Sequence, residues 1–410
     1  MQKVLFIGLV WPEPQSSAAG WRIIQLVKAF QENGFEVTFA SAAGKSDYSY
    51  PLTNLAVVEV PIALNDARFD AFVKDLNPAI VVFDRFMIEE QYGWRVRENC
   101  PDALTLLDTE DLHFLRLARQ EASKKGTPIQ YFSDTAKREI ASILRCDLSL
   151  MISQAECDLL INTFHIHPSL LYYLPFMEAP LDADILANKR SYAERKDFMF
   201  IGNFLHEPNW RTVQVLKTEI WPLLRKQVPD AALHVYGAYA SEKVLQLHKP
   251  TERFYICGRA DDARQTMEQY RVLLAPIPFG AGIKGKFVDA MYSGTPNVSS
   301  VVGAEDMYDG AVWNGLIADD AVDFSAQAKR LYTEEKLWHE AQKNGLLLAN
   351  RDYAGQEHAE RFLEAVVQLQ AKLNTHRQAN FIGQILHTQA NNSLKYMSLW
   401  IQEKNKTTSP

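Results

Sequence analysis

Residues 271–300 read RVLLAPIPFGAGIKGKFVDAMYSGTPNVSS. An apolar, strand-like run leads into a glycine-rich loop, and a helix-like stretch and a second short strand follow, which is the order typical of α/β folds. The segment 280–286 fits the start of a phosphate-binding P-loop, G-x-x-x-x-G-K. A P-loop then needs Ser or Thr, whose hydroxyl binds Mg²⁺, but this chain has Phe287 there. The stretch therefore predicts an α/β unit without a nucleoside-triphosphatase site.

The loop keeps the physical features of an anion site. Glycines let backbone N–H groups approach a phosphate closely, and the N-terminus of the following helix adds a favourable dipole. Lys284 and Lys286 are unfavourable at a helix N-terminus unless an anion neutralises them. A bound diphosphate would do so, and the loop therefore predicts a ligand that carries phosphate.

Strand-like and helix-like stretches alternate through both halves of the chain. Strands of this apolar, β-branched kind predict two parallel sheets covered by helices on both faces. Ligands of such sheets bind beyond the carboxyl ends of the strands, so the glycine-rich loop would face a cleft. We expect a Rossmann-like domain over 1–182, a polar linker over 183–197, a second Rossmann-like domain over 198–370 and a helical extension over 371–410.

The extension holds two short amphipathic stretches in a polar context. They suit helices that pack back on the body, but they also suit an oligomer contact or an acceptor-docking surface. The apolar residues that define them are Ile382, Ile385 and Leu386 in the first stretch and Leu394, Met397, Trp400 and Ile401 in the second.

Composition limits the cellular setting. A formal charge of −7 over 410 residues argues against nucleic acid as a partner. The four cysteines form no C-x-x-C pair, which indicates buried free thiols in a reducing compartment. No secretory signal precedes the first strand, and no apolar run approaches the roughly 20 residues of a membrane span. We expect a cytoplasmic protein, with peripheral contact at the inner membrane face as an alternative.

The second half resembles the nucleotide-binding domain of family 4 glycosyltransferases, most closely a subgroup tied to bacterial exopolysaccharide systems. The resemblance rests on FIGNFLHEPNWRTVQVLKTEIWPLL (200–224), VPDAALHVYG (228–237) and the run from FYICG to GAED (254–306). In the first half it is weaker and rests on SSAAGWR (16–22) and DTEDLHFLR (108–116). The family has the GT-B fold, in which two Rossmann-like domains enclose the active site, and this implies a donor in the second domain and an acceptor in the first.

The resemblance also implies roles for individual residues. Lys284 and Lys286 would neutralise the donor diphosphate, Asp289 would accept hydrogen bonds from the ribose, and the segment with Gly258 and Arg259 would border the base. The remaining residues expected to bind the donor are Gly20, Gly202, Gly280, Ala281, Gly282, Ile283 and Glu305.

Two departures from the family pattern stand out. Many members carry two glutamates eight positions apart around this loop; the second corresponds to Asp289, and the first falls on Ala281, which has no carboxylate. Many also have an Arg and a Lys after the first strand of the second domain, where this chain has Asn203 and Asn209. Lys284 and Lys286 would therefore carry more of the diphosphate charge.

The first domain offers Asp111 and His113 as catalytic candidates. Retaining members of the family often have a His at the end of the strand that precedes these residues, where it faces the donor sugar. Gly20 lies either in a loop that closes over the donor phosphates or at a simple helix start. Arg116 and Arg119, one turn apart, suit an anionic acceptor or a solvated helix face.

Two short motifs are set aside. The segment 182–184 fits D-x-D, a metal motif of another glycosyltransferase fold, but it lies in the predicted linker. The segment 153–156 fits S-x-x-E, which a helix capping box explains. The sequence thus predicts no metal site and no cofactor apart from the donor substrate.

These observations predict a metal-independent, retaining glycosyltransferase that moves a sugar from a nucleotide-diphosphate sugar to a glycan, lipid-linked or protein acceptor. One alternative is a sugar-nucleotide epimerase or hydrolase on the same fold, which needs an acid–base pair and has only Asp111 and His113 for it. Another is a catalytically silent scaffold of a glycan-assembly complex, which the missing first carboxylate favours. The sugar, the base and the acceptor stay open.

Overall fold

Seven parallel strands form the sheet of the first domain in the computed structural model, which describes residues 2–308, 310 and 312–407. The strands are β1 (Lys3–Gly8), β2 (Glu36–Ser41), β3 (Val58–Pro61), β4 (Ile80–Asp84), β5 (Leu104–Asp108), β6 (Leu148–Met151) and β7 (Leu171–Tyr173). Their order, β3-β2-β1-β4-β5-β6-β7, is doubly wound. Strands β4 and β5 are buried throughout, which explains their continuous apolar sequences.

The second domain repeats this plan with six parallel strands. They are β8 (Lys196–Ile201), β9 (Leu233–Tyr236), β10 (Phe254–Gly258), β11 (Tyr270–Ala275), β12 (Asn297–Ser299) and β13 (Gly315–Ile317). The order is β10-β9-β8-β11-β12-β13, and the strands pair in parallel throughout. The predicted fold class, two Rossmann-like α/β domains around a cleft, is confirmed.

Helices cover both faces of each sheet. Those of the first domain are α1 (Ala18–Glu32), α2 (Arg68–Leu76), α3 (Phe86–Asn99), α4 (His113–Lys125), α5 (Asp134–Arg145) and α6 (Gln154–Phe164). Those that follow are α7 (Ala183–Ala187), α8 (Glu207–Val215), α9 (Trp221–Gln227), α10 (Glu242–Leu245), α11 (Ala263–Met267), α12 (Gly285–Tyr292), α13 (Val301–Ala304), α14 (Ala321–Thr333) and α15 (Glu335–Asp352). The last three are α16 (Gly355–Ala371), α17 (Leu373–Ala379) and α18 (Phe381–Thr407).

The expected linker contains structure of its own. Asp182 caps α7, because its Oδ1 accepts a hydrogen bond from the Asp184 N–H at 2.9 Å. The D-x-D motif is thus the start of a helix. Strand β8 begins at Lys196, inside the range expected for the linker.

The chain returns to the first domain earlier than expected. Helix α16 lies within the range 198–370, yet Phe362 packs edge-on against Phe30 of α1, with ring centroids 5.7 Å apart. Phe362, Leu363 and Val366 form an apolar stripe in the buried core of the first domain. The second domain therefore ends before α16.

The extension continues along the same domain. Arg377 of α17 donates hydrogen bonds to both carboxylate oxygens of Asp147, each at 2.8 Å. Helix α18 is a single element of 27 residues, where two short helices were expected. Met397 and Trp400 of the expected second stripe are exposed, and the Leu394 side chain lies outside the described residues.

Two general expectations can be compared with the structure. Cys100, Cys146 and Cys157 are buried free thiols as expected, but Cys257 is exposed because it lies near the end of β10. Among the described helices, none is long and apolar enough to cross a membrane.

Candidate active site

The glycine loop, defined here as Gly280–Lys284, is pressed against the first domain. Gly282 has φ of +62°, a backbone conformation that glycine adopts without strain. A Cβ on Gly282 would lie 2.9 Å from Cβ of Asp111, so no larger residue fits. Ala281 packs on the core of the first domain, whereas Ile283 packs in the core of the second. The loop therefore spans the interface between the domains at the carboxyl ends of their strands.

A carboxyl group of the first domain accepts a hydrogen bond from this loop. Glu156 Oε1 accepts hydrogen bonds from the Gly282 N–H at 2.7 Å and the Leu112 N–H at 3.3 Å. Ser153 caps α6 as expected, since its Oγ accepts from the Glu156 N–H at 3.3 Å. The Glu156 side chain does not complete the capping box, so a cap alone is the wrong explanation for this motif. Burial, together with the nearby Asp111, raises the pKa of Glu156 to about 8.

Lys286 lies in the first turn of α12 and points toward α8. Its Nζ donates to Asn209 Oδ1 at 2.7 Å and lies 5.0 Å from the ring centroid of Phe200. Gly202 makes room for this pair, because a Cβ there would lie 2.6 Å from Cγ of Asn209. Burial and the neighbouring Lys284 lower the pKa of Lys286 to about 7. An approaching anion would restore its full charge.

Lys284 folds back on its own loop. Its Nζ donates to the Gly282 carbonyl at 2.8 Å, and burial lowers its pKa even though Glu305 opposes the shift. Lys284 therefore braces the loop and adds positive charge beside Lys286.

Two helix N-termini meet beside this loop. A Cβ on Gly285, the first residue of α12, would lie 2.5 Å from Cβ of Ala18, the first residue of α1. The first-turn N–H groups of a helix lack intrahelical partners, and the N-terminus carries partial positive charge. In α1 the Gly20 N–H already donates to Ser17 Oγ at 3.0 Å, so Gly20 belongs to a capped helix start. The two helices focus positive potential at the cleft.

Asp289 belongs to a chain of charged groups across the domain interface. Its Oδ1 accepts from Arg264 Nε at 2.8 Å, and Arg264 lies 3.0 Å from Glu178 Oε2. Glu178 Oε1 in turn accepts from Trp21 Nε1 at 2.5 Å and from Gln25 Nε2 at 3.0 Å, both on α1. The arrangement ties the expected ribose-binding residue to the first domain.

The segment expected to border the base forms one edge of the cleft. Gly258 has φ of +75°, and open space surrounds the position where a Cβ would be. The Arg259 guanidinium stacks over Tyr48 of the first domain at 4.1 Å. This stack joins the two domains at the edge of the cleft.

The structure brings the catalytic candidates of the first domain together. Asp111 lies 3.3 Å from Arg116, and Arg116 Nη1 contacts His206 Nε2 of the second domain at 2.8 Å. The pKa of Asp111 is lowered despite burial, because Arg116 and His113 stabilise its charge. His113 Nδ1 lies 3.7 Å from Asp111 Oδ1, and its ring packs edge-on against Phe86 at 5.6 Å.

Arg119 also crosses the cleft. It donates to both carboxylate oxygens of Glu305, at 2.5 and 2.6 Å, and to the Gly280 carbonyl at 2.8 Å. Glu305, expected to bind the donor, is thus held by the first domain. A solvated helix face, one interpretation of Arg116 and Arg119, is wrong because both side chains are only 17% exposed.

Sequence reasoning missed several residues of the cleft. Arg264 pairs with both Asp289 and Glu178 only after folding, and no local motif marks Arg264 or Glu178. Asn209 lies where the family pattern has cations, and this departure from the pattern was the only sign in the sequence that Asn209 belongs to the cleft. Glu110 adds a carboxyl group whose pKa burial and nearby Asp108 raise to about 8; its positive φ of +63° marks local strain at the cleft.

Comparisons with known proteins agree with this architecture. Residues 195–334 match the family model described as glycosyl transferases group 1. Three solved structures share the fold over most of their length. They are sucrose-phosphate synthase from Thermosynechococcus elongatus (TM-score 0.68, 16% identity, 90% of this chain and 100% of that chain), HepE from Anabaena in complex with UDP and glucose (0.63, 13%, 90% and 100%) and a glycosyltransferase from Rickettsia africae (0.64, 11%, 88% and 97%).

A comparison with curated protein sequences found no significant match. At these identities the likeness to solved structures shows the fold. The GT-B architecture is therefore confirmed over about 90% of the chain, and residues 195–334 match the model of glycosyl transferases group 1. The bacterial exopolysaccharide subgroup stays a prediction.

Proposed function

We propose that this protein transfers a sugar from a nucleotide-diphosphate sugar to an acceptor held by the first domain. One observation carries the proposal: Lys286 lies beside the point where the N-termini of α1 and α12 meet. Two helix dipoles and a cation with a depressed pKa form a site that a diphosphate would complete. The match to glycosyl transferases group 1 supports the same assignment.

The geometry suits stabilisation of a leaving group. As the bond between the anomeric carbon and the phosphate oxygen breaks, the sugar gains oxocarbenium character and the diphosphate gains negative charge. Lys286 and the helix N-termini would act more strongly on this charge than on the bound donor, which raises turnover. The Gly282 N–H was expected to help, but it is engaged by Glu156, so the first turn of α12 replaces it in the proposal.

The remaining roles follow from position. Asp289 Oδ1 accepts a hydrogen bond from Arg264, and Oδ2 would accept one from a ribose hydroxyl. Retention fits an acceptor hydroxyl that approaches on the side from which the diphosphate departs, so that a phosphate oxygen can take the hydroxyl proton. His113 and Asp111 would then orient the donor sugar. We further propose that no metal ion is needed, because Lys284 and Lys286 supply the positive charge.

Turnover of a panel of nucleotide sugars tests the proposal. Purified protein is incubated with UDP-, GDP- and ADP-sugars, with and without acceptor glycans, and every arm is repeated in excess EDTA. We expect slow hydrolysis of one donor, faster transfer with acceptor, retention at the anomeric carbon and no effect of EDTA. Epimerised donor without transfer would favour the epimerase. Loss of turnover in EDTA that Mn²⁺ restores would contradict the charge assignment.

A silent scaffold is the second candidate, because the cations and the Gly282 N–H already have protein partners. Lys286 donates to Asn209 and Lys284 donates to the Gly282 carbonyl, so both ammonium groups have hydrogen-bond partners without a ligand. A scaffold would turn over no donor in the panel and would not bind nucleoside diphosphates. Detectable binding of one nucleoside diphosphate would exclude this candidate in its simplest form.

A further inference from the structure

Arg116 of α4 reaches across the cleft to the turn between β8 and α8 (residues 202–209, called here the β8–α8 turn). Its Nη1 lies 2.8 Å from His206 Nε2 and 3.3 Å from Asp111 Oδ2. Partial desolvation in the cleft, and then the nearby Arg116 and Lys286, lower the pKa of His206 to about 4, so the imidazole is neutral. Because a guanidinium only donates hydrogen bonds, Nε2 is the acceptor and the ring proton lies on Nδ1. A neutral imidazole thus holds the guanidinium against the second domain.

The remaining N–H groups of Arg116 are available to a ligand. Both contacts described above use Nη1. Within the part of the chain that the structure describes, Nε and Nη2 have no hydrogen-bond partner, and both atoms reach solvent. A guanidinium presents its donors in a planar fork that matches two oxygens of a phosphate group. Arg116 can therefore bind an oxyanion without giving up its protein contacts.

A short series of contacts connects Arg116 to the proposed diphosphate site. The Asn209 N–H donates to the His206 carbonyl at 2.9 Å, and Asn209 Oδ1 accepts from Lys286 Nζ at 2.7 Å. The Arg116 guanidinium and the Lys286 ammonium therefore contact the same turn of the second domain, one from each side of the cleft. This position separates Arg116 from an acceptor held deeper in the first domain and places it beside the donor.

The β8–α8 turn is also where this chain departs from the family pattern. Many members have an Arg and a Lys after the first strand of the second domain, whereas this chain has Asn203 and Asn209. Residues 202–209 contain neither Arg nor Lys, and His206 is neutral. The turn itself thus supplies no cation for a diphosphate, but a guanidinium from the other domain lies against it.

We propose that Arg116 binds the donor diphosphate and replaces, from the first domain, the cations that the β8–α8 turn lacks. The inference rests on the proposed function, because it requires a donor in the cleft. Arg116 then donates through Nε and Nη2 to two phosphate oxygens, while Lys286 approaches from the second domain. The complete set of diphosphate contacts forms only where the two domains meet, so donor binding favours the closed molecule.

Moving the positive charge between domains tests this assignment. Arg116→Met removes the guanidinium and keeps an aliphatic side chain at a partly exposed position. Asn203→Arg, combined with Arg116→Met, returns a cation to the β8–α8 turn. Asn203 Oδ1 accepts from the Leu205 N–H at 2.9 Å, a bond near the surface that water can replace. Arg361→Met is the matched control, because Arg361 is 67% exposed on α16 and pairs with Glu357 of the same helix. Melting curves accompany every variant.

Titration calorimetry with UDP, GDP and ADP measures binding without turnover, and hydrolysis and transfer of the matching nucleotide sugars are measured in parallel. For the nucleoside diphosphate that binds the wild-type protein, we expect Arg116→Met to weaken affinity by about 10–100-fold, the scale of hydrogen bonds to a charged group. The double variant should regain most of the lost affinity, which a purely structural role of Arg116 would not allow. Arg361→Met should bind like wild type.

The assignment is overturned if a folded Arg116→Met protein keeps the wild-type affinity for the nucleoside diphosphate. Reduced transfer with that affinity intact would instead assign Arg116 to an anionic acceptor. The assignment is also overturned if the double variant stays as weak as Arg116→Met although Asn203→Arg alone binds as well as wild type.

If Asn203→Arg alone binds less tightly than wild type, Arg116→Lys decides, because it keeps a cation in place. Affinity above that of Arg116→Met supports the charge contact, and equal affinity overturns it. Failure of the proposed function looks different: the wild-type protein would bind none of the three nucleoside diphosphates, and the assignment of Arg116 would fall with it.

Discussion

Lys286 combines burial, a neighbouring cation and an amide partner in one side chain. Its pKa of about 7 means that the free protein holds it partly neutral near physiological pH. A diphosphate would favour the charged form and raise this pKa. Donor binding should therefore be coupled to proton uptake.

The first prediction measures that proton. Isothermal titration of a nucleoside diphosphate, in two buffers of different ionisation enthalpy, should show uptake approaching one proton at pH 8 and little at pH 6. The sign follows from the pKa, because Lys286 is mostly neutral above pH 7 and charged below it. Lys286→Arg keeps a permanent charge and should abolish the uptake. Equal uptake by Lys286→Arg and wild type would contradict the assignment.

Arg22 and Asp108 form a fully buried ion pair behind the cleft. Arg22 Nε lies 2.9 Å from Asp108 Oδ1, and both side chains are 0% exposed. We predict that Asp108→Ala destabilises the protein by about 3–5 kcal/mol, because it leaves the guanidinium buried without its partner. Urea unfolding of the variant measures this loss. The double variant Arg22→Met/Asp108→Leu should be less destabilised than Asp108→Ala. If the double variant were the less stable of the two, the unpaired charge of Arg22 would not be the cause of the destabilisation.

At the scale of single residues, the sequence predicted those site residues that lie close together in the chain. Lys284, Lys286 and Asp289 are near neighbours on one loop and helix, so a pattern could place them at one site. Asn209, Arg264 and Glu178 come from separate segments, and only the fold brings them to that site. Glu156 satisfied a familiar local motif, and this hid its contact with the glycine loop.

At the scale of elements, strand-loop-helix order identified β11, the glycine loop and α12 correctly, because apolar runs and glycines mark them clearly. The extension was harder. Two apolar stripes separated by TQANNS suggested two helices, but this run contains neither Pro nor Gly, and α18 continues through it. The domain to which α16 belongs depends on the core against which its apolar stripe packs. The spacing of apolar residues in α16 predicts a helix but does not specify that core.

The C-terminal extension yields a prediction at this scale. Ending the chain near residue 375 removes Arg377, which clamps Asp147 and also donates to the carbonyl of Ala103 at 2.7 Å. We predict a lower melting temperature for the first domain and a donor affinity changed by less than about threefold, or ~0.7 kcal/mol. Calorimetry and ligand titration of the truncated chain measure both. Arg377→Ala in the full chain should reproduce the melting shift; a large loss of donor affinity on truncation would instead show that the extension braces the donor site.

Polar contacts between the two domains hold the cleft closed. Arg119 bonds Glu305 and the Gly280 carbonyl, Arg116 contacts His206, and Tyr239 donates to Glu13 at 2.7 Å. Such contacts suit a molecule that opens to admit a donor and closes around it.

Arg119 offers a test of this closure. Arg119→Ala should increase the radius of gyration in solution scattering and raise the donor KM by about 5–30-fold, equivalent to a lost charge-assisted pair of roughly 1–2 kcal/mol. Arg138→Ala is the matched control, because Arg138 makes a two-pronged pair with Glu90 within the first domain. Unchanged scattering and KM for a folded Arg119→Ala protein would show that the pair does not hold the cleft closed.

The overall architecture was the most predictable feature of the chain. Alternating apolar strands and helices specify two parallel sheets, and parallel topology fixes where their ligands bind. The closing contacts were not predictable, because they join residues from different domains and depend on the angle between them.

The central claim is that Lys286 stabilises a departing diphosphate. The measurement that tests it most directly is kcat for donor turnover by wild type and Lys286→Ala, with Lys329→Ala, an exposed lysine on α14, as control. We predict a kcat lowered by roughly 10²–10³-fold for Lys286→Ala, the effect of removing one electrostatic donor, with an unchanged melting temperature. Full kcat in a folded Lys286→Ala protein would contradict the claim and would show that other groups of the cleft stabilise the departing diphosphate.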